Sequence, residues 1–274
     1  MTMDRVSYKA PRGSLWLMGA AVTGLVLIGP SILPAVEDCE ISAEQGGIRF
    51  PVAQLDSSTR CLLSLVVNDS TTSDVVGPIE TPIPLELYSF LVDHPILTAS
   101  LVQSLGLASY QFTRRGYHQY WVNDGDGTQA LLSLVYQGQT TRIYHLTGYH
   151  EGYVFPLVRA RAAVFLRMLP IVASNGLPAV ENTLISYTRL DDPWLAGVVR
   201  ILRPLIGGVV TRKLSRGFQV TNQLGTLIAK DPTRVAQQAG ALPEMDPELM
   251  RTLAALLQAS RPPIAPTESS APSP

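Results

Sequence analysis

The chain has 274 residues, 46% of them apolar and 16% charged, with 21 basic against 22 acidic side chains. That composition supplies a sizeable core for one domain of ordinary size and excludes global disorder. A net charge of −1 excludes a chain-wide polyanion-binding surface, so any basic patch must be local.

The first element is apolar. Arg5, Lys9 and Arg12 precede the uncharged run Leu15 to Val36, LWLMGAAVTGLVLIGPSILPAV. As a helix its 22 residues span about 33 Å, enough to cross the hydrocarbon core of a bilayer. The basic flank predicts a cytoplasmic N-terminus, with the remainder of the chain outside. Cleavage as a signal peptide is the other reading. A cut after Ala35 would place Leu33 where a small residue is needed, so a retained anchor fits better. Cys39 follows Val36-Glu37-Asp38, which is not a lipobox. Residues 1–36 therefore read as a cytoplasmic stub and transmembrane anchor in the cytoplasmic membrane, or a signal peptide. The domain lies in the periplasm, or is secreted if the segment is cleaved.

In that compartment Cys39 and Cys61 are disulfide candidates, and a bond there would contribute about 3 kcal/mol on the chain-entropy argument. Two separate thiols remain the alternative, because pairing does not follow from sequence. Two cysteines with no nearby histidine do not suit zinc, so no metal and no cofactor is expected.

Residues 37–82 form an acidic, turn-rich extension. Within it GIRFPV and RCLLSLVV read as strands, and NDSTTSDVVGPIETPIP (68–84) as a loop. From Pro84 apolar residues fall at helical spacing, Leu87, Phe90 and Leu91, then Leu97, Leu101, Val102 and Leu105. Pro95 separates two short helices, and Gly106 ends the second. Strands follow at 110–122, 128–137, 140–149, 159–172 and 179–190, joined by short turns as in a meander. In the fourth of these, Arg159, Arg161, Phe165 and Arg167 share one face. Ala160, Ala162, Val164, Leu166 and Met168 share the other, which predicts one wet and one dry side.

Asp192-Pro193 opens a long amphipathic helix reaching Lys230, about 55 Å long. Pro204 and Gly207-Gly208 are expected to kink it. A short helix follows within 233–260, after an Asp246 cap, and 261–274 is a Pro/Ser-rich disordered tail.

The order of two short helices, several antiparallel strands and one long C-terminal helix resembles the START-like, polyketide-cyclase-like helix-grip (SRPBCC) superfamily. The resemblance covers about residues 60–230 and rests on element order and hydrophobic pattern. It implies an α+β fold in which a curved antiparallel sheet wraps the C-terminal helix, with residues 83–232 as the helix-grip core. Arg60–Asn68 would supply the strand that precedes the two helices. A cone-shaped fold of the nuclear-transport-factor type competes, but it usually places its long helix first.

Such a core implies a cavity that binds or carries a lipid or other apolar small molecule between sheet and helix. Strand alternation and the helix face nominate Tyr110, Phe112, Leu132, Leu134, Ala162, Val164, Leu166, Met168, Leu202, Ile206 and Val209 as its lining. The basic residues Arg200, Arg203, Arg212, Lys213 and Arg216 then fall on the outer face of the helix, as a solvated surface or as contacts to anionic lipid head groups. Nucleic acid is not an expected partner, since no recognition motif is present.

No nucleophile elbow, metal triad or phosphate loop occurs, and no catalytic residue is assigned. Tyr117, His118, Tyr144, His145 and Glu151 would serve an enzyme of the cyclase kind if they converged at one cavity mouth. NDGDG (123–127) does not fit a calcium loop, because position 6 is Gln129 and position 12 is Val135; it reads as a hairpin turn. Two rivals to ligand carriage stand: an enzyme in the same cavity, and an envelope interaction protein with a solid core.

Overall fold

The computed structural model describes residues 39–152, 157–192, 197, 203–242 and 245–260, with the backbone alone for 203–214. The apolar run 15–36 and the tail 261–274 lie outside the described residues. Among the described residues no helix is long and apolar enough to cross a membrane.

The fold is mixed α+β on a large antiparallel sheet. A small hairpin, β1 (Glu44–Gln45) and β2 (Ile48–Arg49), leads into α1 (Ser57–Val67) and β3 (Thr72–Thr81). Helices α2 (Leu85–Asp93) and α3 (Pro95–Ser104) follow. Six strands come next: β4 (Gln111–Gly116), β5 (Gln119–Asn123), β6 (Thr128–Gln137), β7 (Thr141–His150), β8 (Val158–Val172) and β9 (Pro178–Leu190). The C-terminal helices are α4 (Arg203–Lys230), α5 (Pro232–Gly240) and α6 (Pro247–Ala259). The strand order in the main sheet is β3-β9-β8-β7-β6-β5-β4, antiparallel throughout.

The first strand is not where the composition suggested. RCLLSLVV, expected as a strand, is most of α1. Asp56 caps that helix, with Oδ1 accepting the Thr59 N–H at 2.8 Å and Oδ2 the Thr59 hydroxyl at 2.6 Å. Those bonds, led by the Ser58 hydroxyl, hold the Asp56 carboxyl below the usual carboxylate range. The cap, the three leucines and the burial of Leu63 and Val66 on one face favour the helix over a strand. The strand lies instead in the presumed loop 68–84, as β3. Gly77 and Pro78 made that stretch look irregular. They are accommodated because β3 is an edge strand whose register with β9 shifts between Val76 and Ile79.

Two further boundaries differ. The expected strand 110–122 is a hairpin, β4 and β5, turning at Tyr117-His118 with His118 at φ +53°. Asp231-Pro232, expected to stop the long helix, also starts another: Asp231 Oδ1 accepts the Arg234 N–H at 2.9 Å, and Pro232 suits the first turn of α5. The residues before Arg203 in the expected long helix lie outside the described residues, except 197. The segment Arg203–Lys230 is continuously helical through Pro204 and Gly207-Gly208.

Both sides of the sheet carry a packed layer, which corrects the expectation of one wet face at Phe165, while Arg159 is exposed and Arg161 and Arg167 stay partly exposed on the outer side. On the inner side, α2, α3, α4, α5 and α6 enclose a core that includes Tyr88, Leu91, Leu101, Met168, Leu224 and Leu253. On the outer side, Phe50, Val52, Leu55, Leu63 and Val66 pack over Ile143, Ala163, Phe165 and Ile185. Cys39 and Cys61 are bonded, which ties the start of this outer layer to α1. Phe165 was assigned with the arginines to a solvated face. It is fully buried, its ring 5.2 Å from Phe50 and 6.1 Å from Tyr187.

Candidate functional site

Antiparallel register places one residue from each strand on each rung of the inner face. One rung runs Thr72, Thr188, Ala162, Leu146, Leu132, Tyr120. The next, toward the β5–β6 turn, carries Leu190, Ala160, Gly148, Ala130, Val122 and Phe112. Ala162, Ala160, Gly148 and Ala130 are small, so the sheet surface is low where they meet. A Cβ on Gly148 would run into the Gln129 carbonyl oxygen and the Ala130 side chain, so this position is closed to larger residues.

The consequence is a cavity of about 750 Å³ between the inner face, α2, α3 and α4. Its floor is the two rungs above, and its walls include Leu91 and Val102 from the short helices and Phe218 and Val220 from α4. The size lies within the range of small-molecule sites, roughly 300–1,000 Å³.

Of the nominated lining residues, Tyr110, Phe112, Leu132, Leu134, Ala162, Val164 and Leu166 line this cavity. Met168 does not. It lies on the same face but is fully buried in the solid part of the core, beyond the cavity's end. Leu202 and the side chains of Ile206 and Val209 lie outside the described residues, as do Arg200 and the side chains of Arg203, Arg212 and Lys213. Arg216 is exposed. Among the described side chains, helix α4 reaches the cavity through Gly217, Phe218, Val220 and Thr221, more than two turns beyond the positions expected.

Polar groups enter at two levels. At the rim, Asp124, Thr128 and His150 share the end of the floor, with Thr128 Oγ1 3.1 Å from His150 Nδ1. Asp124 Oδ1 also closes the β5–β6 turn, accepting the N–H of Asp126 at 2.8 Å and of Thr128 at 2.9 Å. This is the hairpin turn expected of NDGDG, with Gly125 and Gly127 at positive φ. Deeper, Tyr88, Asp93 and Tyr144 line the wall. Burial pushes both phenols above the ordinary tyrosine value.

Asp93 is engaged by Arg142, which donates from Nε and Nη2 at 2.7 Å each, and by Gln137 at 3.0 Å. Arg142 is 3% exposed, so this pair joins α2 to β7 in a desolvated setting. Tyr88 donates to Asn222 Oδ1 at 3.3 Å, and the Thr81 hydroxyl donates to the same oxygen. Asn182 Nδ2 donates to Thr81 Oγ1 at 3.0 Å. This network fixes the C-terminal half of α4 on β3 and β9. Gly225 permits the approach, since a Cβ there would run into Thr81.

The five residues weighed for catalysis do not converge. Tyr117 is 83% exposed on the β4–β5 turn, and Glu151 is exposed in the loop after β7. His145 belongs to the opposite face, level with Ala163 and Ser133, and only His118 and Tyr144 line the cavity. His145 and His150, five residues apart on β7, therefore point to opposite sides of the sheet. Among the described residues no cluster of three metal-ligating side chains occurs.

Asp93, Tyr88 and Asn222 were not singled out in the sequence. The only local sign was Asp93 at the end of α2, which reads as a helix terminus.

No family model matches the chain, and no curated protein matches it. Among solved structures, a conserved protein from Geobacillus kaustophilus is similar at 18% identity, over 58% of this chain and 95% of that one, with a TM-score of 0.39.

Proposed function

We propose that this chain is a membrane-anchored, extracytoplasmic domain of the START-like helix-grip kind that binds and carries a lipid or other apolar small molecule. The observation that carries this reading is the cavity of about 750 Å³ between the sheet and α4, walled mainly by Leu, Val, Ala, Phe and Tyr. Element order supports the family. One edge strand precedes two helices, six antiparallel strands follow, and a long helix lies against them, with β3 placed beside β9. The run 15–36 and its basic flank support the anchor.

The mechanism is sequestration. Apolar surface of the ligand leaves water for the cavity, and α4 serves as the cover. Its C-terminal half is fixed by the Thr81–Asn222 network, so opening falls to the half that carries Pro204 and Gly207-Gly208. Replacing Pro204 with Ala is expected to slow ligand exchange; unchanged exchange would remove the hinge from the mechanism.

The experiment that tests the proposal is native mass spectrometry of the full chain released from lipid nanodiscs, followed by organic extraction. A stoichiometric apolar adduct supports carriage and identifies its class. A clean apo mass, with no uptake of added apolar probes, would favour the envelope interaction protein and overturn carriage.

A further inference from the structure

Tyr144 sits in the middle of the inner face, opposite Leu134 on β6 and Val164 on β8, and lines the cavity. Its hydroxyl has no hydrogen-bond partner among the described residues. Tyr88, its electrostatic neighbour, is engaged with Asn222. An enclosed phenol normally finds a partner, because leaving the group unsatisfied costs about 1–3 kcal/mol. Here the space beside it is the cavity itself.

The surroundings restrict what that partner is. Burial keeps the phenol protonated, so it offers a hydrogen-bond donor. After burial, the main electrostatic influences on Tyr144 are Asp93 and Arg142, which satisfy each other, with a smaller one from Tyr120. Arg142 Nη1 is occupied as well, by the carbonyls of Gly138 and Thr141. Among the described cavity residues the one arginine is Arg161, which lies toward the rim and pairs with Asp191 at 2.8 Å. Among the described residues, a carboxylate at Tyr144 would sit near Asp93 with no cation left to pair it, in an apolar setting. A carbonyl oxygen accepts the same hydrogen bond with no charge to bury.

Resting on the proposed carriage role, we infer that the cavity selects a neutral apolar molecule bearing an ester or ketone carbonyl, which accepts a hydrogen bond from the Tyr144 hydroxyl. The rim rung of Asp124, Thr128 and His150 then faces the part of the ligand nearest to water.

The test uses the full chain in nanodiscs of an ether-linked phosphatidylcholine, which has no carbonyl of its own. Three diazirine-bearing sixteen-carbon probes are compared at equal membrane content: the methyl ester, the free acid and the plain hydrocarbon. Photolabelling of peptides from 128–172 is read by mass spectrometry. The ester is expected to label about three- to tenfold more than the acid or the hydrocarbon, as one hydrogen bond allows. Tyr144→Phe is expected to bring ester labelling down to the hydrocarbon level measured in the same variant, with an unchanged melting temperature. Equal labelling by ester and hydrocarbon in the wild type would overturn the inference, with no variant needed, and leave the carriage reading standing. So would ester labelling that survives Tyr144→Phe. Absence of strand labelling by all three probes would overturn the carriage reading and the inference together.

Discussion

The two faces of the sheet are made from alternate residues of the same strands, yet one is filled and the other is hollow. On the outer face Phe165 meets Phe50 and Tyr187 ring to ring, and α1 closes over Ala163 and Ile185. On the inner face Ala130, Gly148, Ala160 and Ala162 lower the floor, and the helices opposite do not descend to meet it. Apolar character is common to both. Side-chain size, and what the chain lays across each face, decide whether burial ends in packing or in space.

Substitutions separate the two most sharply. Phe165→Ala opens a hole in a closed layer and is expected to cost about 3–5 kcal/mol in denaturant unfolding. Leu132→Ala, on the cavity floor, removes a side chain with fewer neighbours to lose and is expected to cost less than half as much. Comparable losses at the two sites would mean that the inner face is packed and the hollow does not persist in solution.

Next in size is the disulfide. Replacing Cys39 and Cys61 with alanine is expected to lower stability by about 3 kcal/mol. It should also make residues 39–67 the first site of limited proteolysis, while uptake of the proposed apolar ligand persists. Loss of uptake in parallel with the cap would show that the two faces are not independent.

The smallest effect is acid sensitivity of the outer face. His145 is buried with no partner for Nε2, and desolvation, aided by the Arg161 charge, lowers its pKa below the ordinary 6.5. A lowered histidine pKa means that the unfolded chain binds the proton first. The stabilising difference is therefore complete above the unfolded value and lost as pH falls through about 6.5 toward the folded one. Unfolding free energy measured from pH 7.5 to 5.5 should fall, and His145→Gln should flatten that slope. An equal slope in the variant would assign the acid sensitivity elsewhere.

Local signals carried much of this fold. Pro95 between two apolar periodicities, the Gly-containing turns and the alternation along 158–172 located α2, α3 and β6 to β9 within a residue or two. Alternation also placed seven cavity residues on one face, because register conserves parity across an antiparallel sheet. What misled was composition read without its cap. The short apolar run in 60–68 suggested a strand where Asp56 and the Thr59 hydroxyl start a helix, and Gly77-Pro78 suggested a loop where an edge strand tolerates them.

By itself, then, the sequence determined the antiparallel meander, its inner parity and the apolar nature of whatever it encloses, since all three follow from near-neighbour spacing. Only the tertiary structure decided that Phe165 is covered, that Met168 is sealed beyond the cavity, that Asp93 and Arg142 neutralise each other, and that Tyr144 faces space. Each depends on segments 49 or more positions apart, or on a volume that no single segment surrounds.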